Sequence, residues 1–134
     1  MTDFSYLNVD NAYKLINQKV TKTPLVTNDY INNLLEAEIY FKLENLQNTG
    51  SFKLRGATHK ITKLIENVKD SGVVAYSSGN HAQAVAYASM INSISAKIIM
   101  PKTAPQIKIE NTKNYGAEVI SVSYTHLTLP TICS

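Results

Sequence analysis

Apolar residues recur along this chain with two different periods, and the change of period separates predicted helices from predicted strands. In the first part, helical spacing and an asparagine-rich capping sequence predict a helix from about residue 8 to Val20. Thr23-Pro24 ends it in an extended turn. Thr27-Asn28-Asp29 opens a short helix through Leu35, and the aromatic and β-branched run 38–43 predicts a strand.

The clearest helical pattern begins after a Gly50-Ser51 turn, with Ser51 as the predicted N-cap. It carries a one-sided apolar stripe of Leu54, Ala57, Ile61, Leu64, Ile65 and Val68. Lys53 then falls in the first turn, where the helix dipole disfavours a cation, and Arg55 adds positive charge. Both effects favour the neutral amine that attacks a carbonyl carbon. Taken alone, a solvated lysine at a helix start is the commoner explanation.

Short apolar runs and helical segments alternate through the rest of the chain. The predicted strands and helices are, in order, strand 73–76, helix 82–88, strand 96–100, helix 104–114 and strand 117–120. The first strand has the all-apolar composition of a buried strand. Ile107 is the clearest apolar anchor of the second helix, and Gly116 is its predicted cap. This order predicts an α/β fold with a parallel sheet layered by helices.

Composition narrows the class of protein. The 134 residues are 44% hydrophobic and 17% charged, with a formal net charge of +3, which is typical of a globular domain. The sequence contains no run of basic residues, so nucleic-acid binding is not indicated. No apolar stretch approaches the roughly 20 residues of a membrane helix. The N-terminus lacks the pattern of a secretory signal. A single cysteine, Cys133, excludes an internal disulfide and a multi-cysteine zinc site, so we expect a cytoplasmic protein.

The turn Ser77–His81 is the second candidate site. It follows a predicted strand and opens a helix, so its amides can hold a carboxylate or phosphate. A capped helix start without a ligand explains this turn equally well. A hydrolase is disfavoured because Ser78 lacks the glycine-flanked elbow and an acidic partner for His81. The histidines show no metal-ligand spacing, and the five glycines form no nucleotide-binding run.

The two sites together carry a resemblance that neither shows alone. The matching stretches are Thr23-Pro24-Leu25, Lys42-Leu43-Glu44-Asn45, Thr49 to Ala57, Ser77 to Gln83 and Met100 to Pro105. They resemble the threonine/serine dehydratase and serine racemase family, over about residues 5 to 121. These are pyridoxal-phosphate enzymes of fold type II, with the tryptophan-synthase β architecture. The resemblance implies pyridoxal 5'-phosphate as the cofactor and a small amino acid as the substrate.

The resemblance also implies a role for each site residue. Lys53 would hold the cofactor as a Schiff base and move the α-proton, with Phe52 beside the ring. Asn80 would hydrogen-bond the ring hydroxyl oxygen. The substrate carboxylate would lie on Ser78, Gly79, Asn80 and His81. The implied reaction converts L-threonine or L-serine to a 2-oxo acid and ammonia. Serine racemase activity, permitted by Ser78, and a fragment that keeps the fold without catalysis remain the alternatives.

The resemblance further predicts how the chain is divided. Residues 1–68 would belong to the larger domain and 73–121 would form a small α/β domain. Relatives are more than twice as long, and their phosphate-binding loop and pyridine-nitrogen partner lie beyond the matched part. We therefore expect the chain alone to be inactive and the full-length form to be a homo-oligomer. Residues 122–134 resemble nothing in the family and are interpreted as a non-native tail.

Overall fold

The computed structural model describes residues 5–123, which form alternating helices and strands. The helices are α1 (Tyr6–Ile16), α2 (Asp29–Leu35), α3 (Lys53–Lys63), α4 (Ile65–Val68), α5 (Asn80–Ile91) and α6 (Gln106–Asn114). The strands are β1 (Leu25–Thr27), β2 (Tyr40–Lys42), β3 (Val73–Tyr76), β4 (Ala96–Pro101) and β5 (Glu118–Val122). A short 3-10 helix spans Glu44–Leu46. The predicted non-native tail is 122–134; its first residue, Val122, is the last residue of β5, and residues 124–134 lie outside the described residues.

The second half of the chain forms the predicted parallel sheet. Its strand order is β3-β4-β5, with Ala75 opposite Ile98 and Ile98 opposite Val119. Helices α5 and α6 connect the successive strands, as parallel pairing requires. β4 lies in the centre, and its Ile98 and Met100 are fully buried. The expectation of a buried first strand is wrong, because β3 is an edge strand and Val74 is 70% exposed.

A second sheet lies in the first half of the chain; its strand β2 confirms the strand predicted at 38–43, whereas β1 is not predicted. β1 pairs with β2 in antiparallel fashion, with Leu25 opposite Lys42 and Thr27 opposite Tyr40. Every residue of both strands is exposed, and α2 has no buried residue. The sequence predicts only an extended turn at Thr23-Pro24, just before β1. The three residues of β1 are too few to show the alternating period of a strand.

Several helix boundaries differ from the predicted ones. α1 begins at Tyr6 and ends at Ile16, before the predicted end at Val20. The predicted helix from Lys53 to Val68 is interrupted at Leu64, whose backbone leaves the helical region. In α6, Ile107 is 58% exposed, so it is not the apolar anchor, and the buried residue is Thr112. α2 begins as predicted, with the Asn28 side chain accepting a hydrogen bond from the Ile31 amide.

The hydrophobic core joins the two halves of the described chain. α3 packs against α5 and α1, and α5 packs against the sheet. Leu54, Ala57 and Ile61 of α3 belong to the same buried cluster as the alanines of α5. Small alanine side chains permit this close approach of two helices. The division into a domain ending at residue 68 and a second domain at 73–121 stays a prediction. Across residues 5–123, no helix has the length and apolar character needed to cross a membrane.

Candidate functional site

Lys53 is the first residue of α3, and its side chain is exposed. Its Nζ lies 4.9 Å from the centroid of the Phe52 ring, which is itself 60% exposed. The expected cap is wrong: Phe52 occupies the N-cap position, and its side chain makes no capping hydrogen bond. The Ser51 hydroxyl is instead buried without a hydrogen-bond partner among the described residues. Lys53 therefore lies in the first turn of the helix, as predicted. The residue before the helix is Phe52 and not the predicted Ser51 cap.

An ion pair fixes the segment that carries Lys53. The Arg55 guanidinium donates from Nε and Nη2 to the two carboxylate oxygens of Glu44, at 2.9 and 2.7 Å. The Thr23 hydroxyl donates to the same carboxylate. The Arg55 hydrogen bonds lower the pKa of Glu44 to about 2, against an opposing effect of desolvation. Arg55 is thus neutralised by Glu44, which corrects the expectation that it adds free positive charge beside Lys53.

A second tether holds the loop before α3. The Gln47 side chain accepts from the Thr21 amide at 2.8 Å and donates to the Thr21 carbonyl at 2.9 Å. The Gln47 side-chain amide thus pairs with both backbone hydrogen-bonding groups of Thr21, as a neighbouring strand would. Both tethers connect the loop to the segment after α1. The position of α3 relative to that segment therefore depends on polar contacts near its start, in addition to its buried stripe.

The turn Ser77–His81 lies at the carboxyl end of β3, as predicted. The Ser77 amide donates to the Ile99 carbonyl of β4 at 3.1 Å, so the turn is joined to the sheet. The Ser77 hydroxyl accepts from the Gly79 amide at 3.2 Å. A Cβ at Gly79 would meet open space, so that face of the turn is accessible. Ser78 is exposed on the same turn.

His81 shows that the two predicted sites lie close together. Partial desolvation by the surrounding protein lowers the pKa of His81, and the positive charge of Lys53 lowers it further. The hydrogen bond from Gln83 of α5 to the Thr49 carbonyl, in the loop before Lys53, gives the geometric link between the two sites. The packing of α3 against α5 produces this proximity, because each site stands at the N-terminal end of one of these helices.

Helix α6 supplies site residues that the sequence analysis missed. Lys108 Nζ donates to Asn80 Oδ1 at 2.8 Å. One turn further along, Asn111 Nδ2 donates to Gln83 Oε1 at 3.3 Å, and Gln83 Nε2 donates to the Thr49 carbonyl at 3.3 Å. These contacts join α6 to α5 and α5 to the loop before Lys53. Their sequence separations of 28 and 34 residues leave no local pattern from which they could be predicted.

The comparison with known proteins identifies the chemistry of this arrangement. A family model described as pyridoxal-phosphate dependent enzyme matches residues 16–129. The chain belongs to this family. The match passes residue 121, where the motif resemblance was expected to end.

The names of individual relatives include serine racemases, threonine dehydratases and an L-threo-3-hydroxyaspartate ammonia-lyase. The chain is 42% identical to a serine racemase of Dictyostelium discoideum over 93% of its length, and 44% identical to a catabolic L-threonine dehydratase of Staphylococcus aureus over 84%. It spans 39% and 33% of the length of these pyridoxal-phosphate enzyme relatives. The crystal structure of the Dictyostelium serine racemase superposes with a TM-score of 0.83 at 44% identity, covering 87% of this chain and 38% of that one. These similarities confirm the fold-type-II architecture and pyridoxal 5'-phosphate as the cofactor.

The residues at the site fit this cofactor. The hydroxyls of Thr49 and Ser51 are buried beside Lys53, and neither has a hydrogen-bond partner among residues 5–123. Buried polar groups without partners are costly, so a polar ligand that reached these two hydroxyls would be stabilised by them; the hydroxyls of Thr58 and Ser89 are buried in the same way, without partners in the described part of the chain. Lys53 offers an exposed primary amine for an aldehyde, and Phe52 offers an apolar surface next to it. Open space beside Gly79 gives a ligand access to the turn at the start of α5, although the Gly79 amide itself donates to the Ser77 hydroxyl.

Proposed function

We propose that this chain forms the lysine-bearing part of an enzyme that dehydrates and deaminates L-threonine and L-serine. The products are a 2-oxo acid and ammonia. The observation that carries the proposal is the placement of an exposed lysine at the start of α3, which packs against α5, with Gln83 of α5 hydrogen-bonded to the Thr49 carbonyl of the loop before Lys53. A reactive amine and an anion cradle are the two elements that an amino-acid substrate on an aldehyde cofactor needs.

Each element has a separate task in this proposal. The Lys53 amine would hold the cofactor covalently, and its Nζ would be the group that takes the α-proton of the substrate. The cofactor, when bound, would supply an electron sink for the pair left on the α-carbon. The turn from Ser78 to His81 would bind the substrate carboxylate and so orient the substrate. Asn80 would donate a hydrogen bond to the cofactor ring oxygen.

Serine racemisation is the second candidate, and Ser78 is the residue that favours it. Racemisation needs a proton donor on the face opposite the lysine, and a hydroxyl on the turn is a candidate for that donor. The residue permits racemisation without requiring it, because some dehydratases also have serine here. The similarity to a serine racemase and to a threonine dehydratase at nearly equal identity supports both reactions.

The test combines this chain with the missing C-terminal part of a relative and measures turnover of L-threonine, L-serine and D-serine. We expect 2-oxo acid from both L-amino acids, and its loss in Lys53→Ala. Lys60→Ala is the matched control, because Lys60 is an exposed lysine on the same helix. Equal activity in the two variants would refute the role of Lys53. D-serine as the dominant product would favour the racemase instead.

A further inference from the structure

Lys108 of α6 makes a contact that the proposed reaction does not use. Its Nζ donates at 2.8 Å to Oδ1 of Asn80, which lies in the turn that opens α5. Within residues 5–123, no acidic side chain forms an ion pair with Lys108. The nearest acid on its own helix, Glu110, instead accepts a hydrogen bond from Gln106. The amide of Asn80 is therefore the contact that the structure gives this ammonium group.

The chemistry of the two side chains makes this contact directional. An ammonium group has three donors and no acceptor, whereas a carboxamide has an acceptor at one end and two donors at the other. Lys108 can therefore bind only the oxygen end of Asn80. Fixing the oxygen end also fixes the opposite end, because the amide is planar. The Nδ2 donors of Asn80 must then face away from Lys108.

Two further contacts of α6 support this orientation. The Lys108 carbonyl accepts from the Thr112 hydroxyl at 2.7 Å, and Thr112 is fully buried. One turn along both helices, Asn111 binds Gln83 in a parallel contact. α6 and α5 are thus joined at two points spaced by one helical turn. Lys108 and Asn80 therefore lie on two helices that contact each other, and their side chains meet at the exposed edge of that contact.

We propose that Lys108 is a positioning residue that orients the Asn80 amide, so that its N–H donors are presented to the cofactor. The orienting step concerns only side chains of this chain. Its consequence for cofactor binding rests on the proposed function, in which Asn80 donates to the ring oxygen. Without Lys108, the two ends of the amide would be free to exchange, and the acceptor end would repel a ring oxygen.

The first test uses the ligand-free chain and does not depend on catalysis. Side-chain amide signals of Asn80 are followed by NMR in wild type, Lys108→Met and Lys108→Arg. We expect the signals in Lys108→Met to move to those of a freely rotating asparagine, and Lys108→Arg to restore them, because arginine is also donor-only. Lys113→Met is the control, since it removes the same charge from an exposed position on α6. Unchanged Asn80 signals in Lys108→Met would overturn the proposal.

The second test measures cofactor binding in the chain joined to the C-terminal part of a relative. We expect the Kd for pyridoxal phosphate to rise about tenfold in Lys108→Met, which is the scale of one hydrogen bond to a charged group. The visible absorbance of the bound cofactor should also shift, and Lys108→Arg should reverse both changes. A change of the same size in Lys113→Met would overturn the proposal.

A third variant covers the case in which Lys108→Met does not fold. Lys108→Glu replaces a donor with an acceptor on the same solvent-accessible helix, so Asn80 should turn around and present its oxygen outward. Cofactor affinity should then fall further than in Lys108→Met, and equal or tighter binding would contradict the proposal. Failure of the proposed function is distinguishable, because an unlabelled Lys53 would leave the ligand-free Asn80 signals as an independent measure of Lys108.

Discussion

Replacing Glu44 by glutamine removes the charge that holds Arg55, without removing the side-chain volume. Glutamine keeps one acceptor for the guanidinium, so the change isolates the charge of the carboxylate. In the wild type, two hydrogen bonds of 2.9 and 2.7 Å join the pair, and its side chains are 15% and 25% exposed. The pair is therefore mostly shielded from water, unlike the exposed ion pair of Lys97 and Glu118.

The pKa of Glu44 gives the magnitude. The Arg55 hydrogen bonds depress it from 4.5 to about 2, which corresponds to about 3 kcal/mol of folding free energy if fully realised. Solvent at the edge of the pair and the ordering of the arginine side chain reduce this, so we expect about 1 to 2 kcal/mol. This loss of about 1 to 2 kcal/mol is larger than the expected effect of an exposed ion pair, which is below about 1 kcal/mol.

The pKa shift also predicts the pH dependence of this contribution. Because the folded-state pKa of Glu44 lies below its unfolded value, the stabilisation is fully present above the unfolded value of 4.5. It is lost progressively as the pH falls from there toward about 2. Glu44→Gln has no carboxylate to protonate, so this part of the acid sensitivity should disappear in the variant.

The assay is urea denaturation of wild type, Glu44→Gln and Glu118→Gln at pH 7 and pH 3. We expect Glu44→Gln to lose about 1 to 2 kcal/mol at pH 7 and to approach wild type at pH 3. Glu118→Gln, from the exposed pair, should stay within about 0.5 kcal/mol at both values. Equal effects of the two substitutions at pH 7, or an unchanged gap between wild type and Glu44→Gln at pH 3, would refute this reasoning.

Three further outcomes are expected from the structure and the proposed function. Leu54→Ala opens a cavity at a fully buried position in α3 and should cost about 3 kcal/mol by urea denaturation; a cost below about 1 kcal/mol would contradict its place in the core. Gly72→Ala should cost more than about 1 kcal/mol, because φ is +74° and the new Cβ would lie 2.8 Å from the Ser95 carbonyl oxygen; a neutral effect on the melting temperature would be inconsistent with that turn. In the enzyme restored with a relative's C-terminal part, Ser78→Ala should suppress D-serine formation far more than 2-oxo acid formation, and equal losses would mean that Ser78 only binds substrate.

The parallel sheet could be predicted because its signals are local. Each strand of the second half is a short apolar run bounded by a turn, and the helices between them have the lengths that parallel crossovers need. The position of β3 at the sheet edge could not be predicted in this way. Strand order is decided by which strands pair, and the apolar composition of Val73–Tyr76 is the same in a central or an edge strand.

The candidate site was predictable only in part, for a similar reason. Lys53 and the Ser77–His81 turn stand at helix starts that the chain itself signals. Their proximity depends on how α3 packs against α5, which the apolar stripe permits but does not specify. Lys108 gives no signal, because a lysine on an exposed helix is ordinary in composition, and Gln83 stands only at the end of a matching stretch. Glu44 was noticed only within a matching stretch, and its ion pair with Arg55 required the folded loop.

The most direct test of the central claim is the identity of the lysine that holds the cofactor. The chain, joined to the C-terminal part of a relative, is incubated with pyridoxal phosphate and reduced with borohydride, and the modified peptide is mapped by mass spectrometry. The account predicts one modified residue, Lys53, and no stoichiometric label in Lys53→Ala. Label on another lysine, or stoichiometric label that persists in Lys53→Ala, would contradict it.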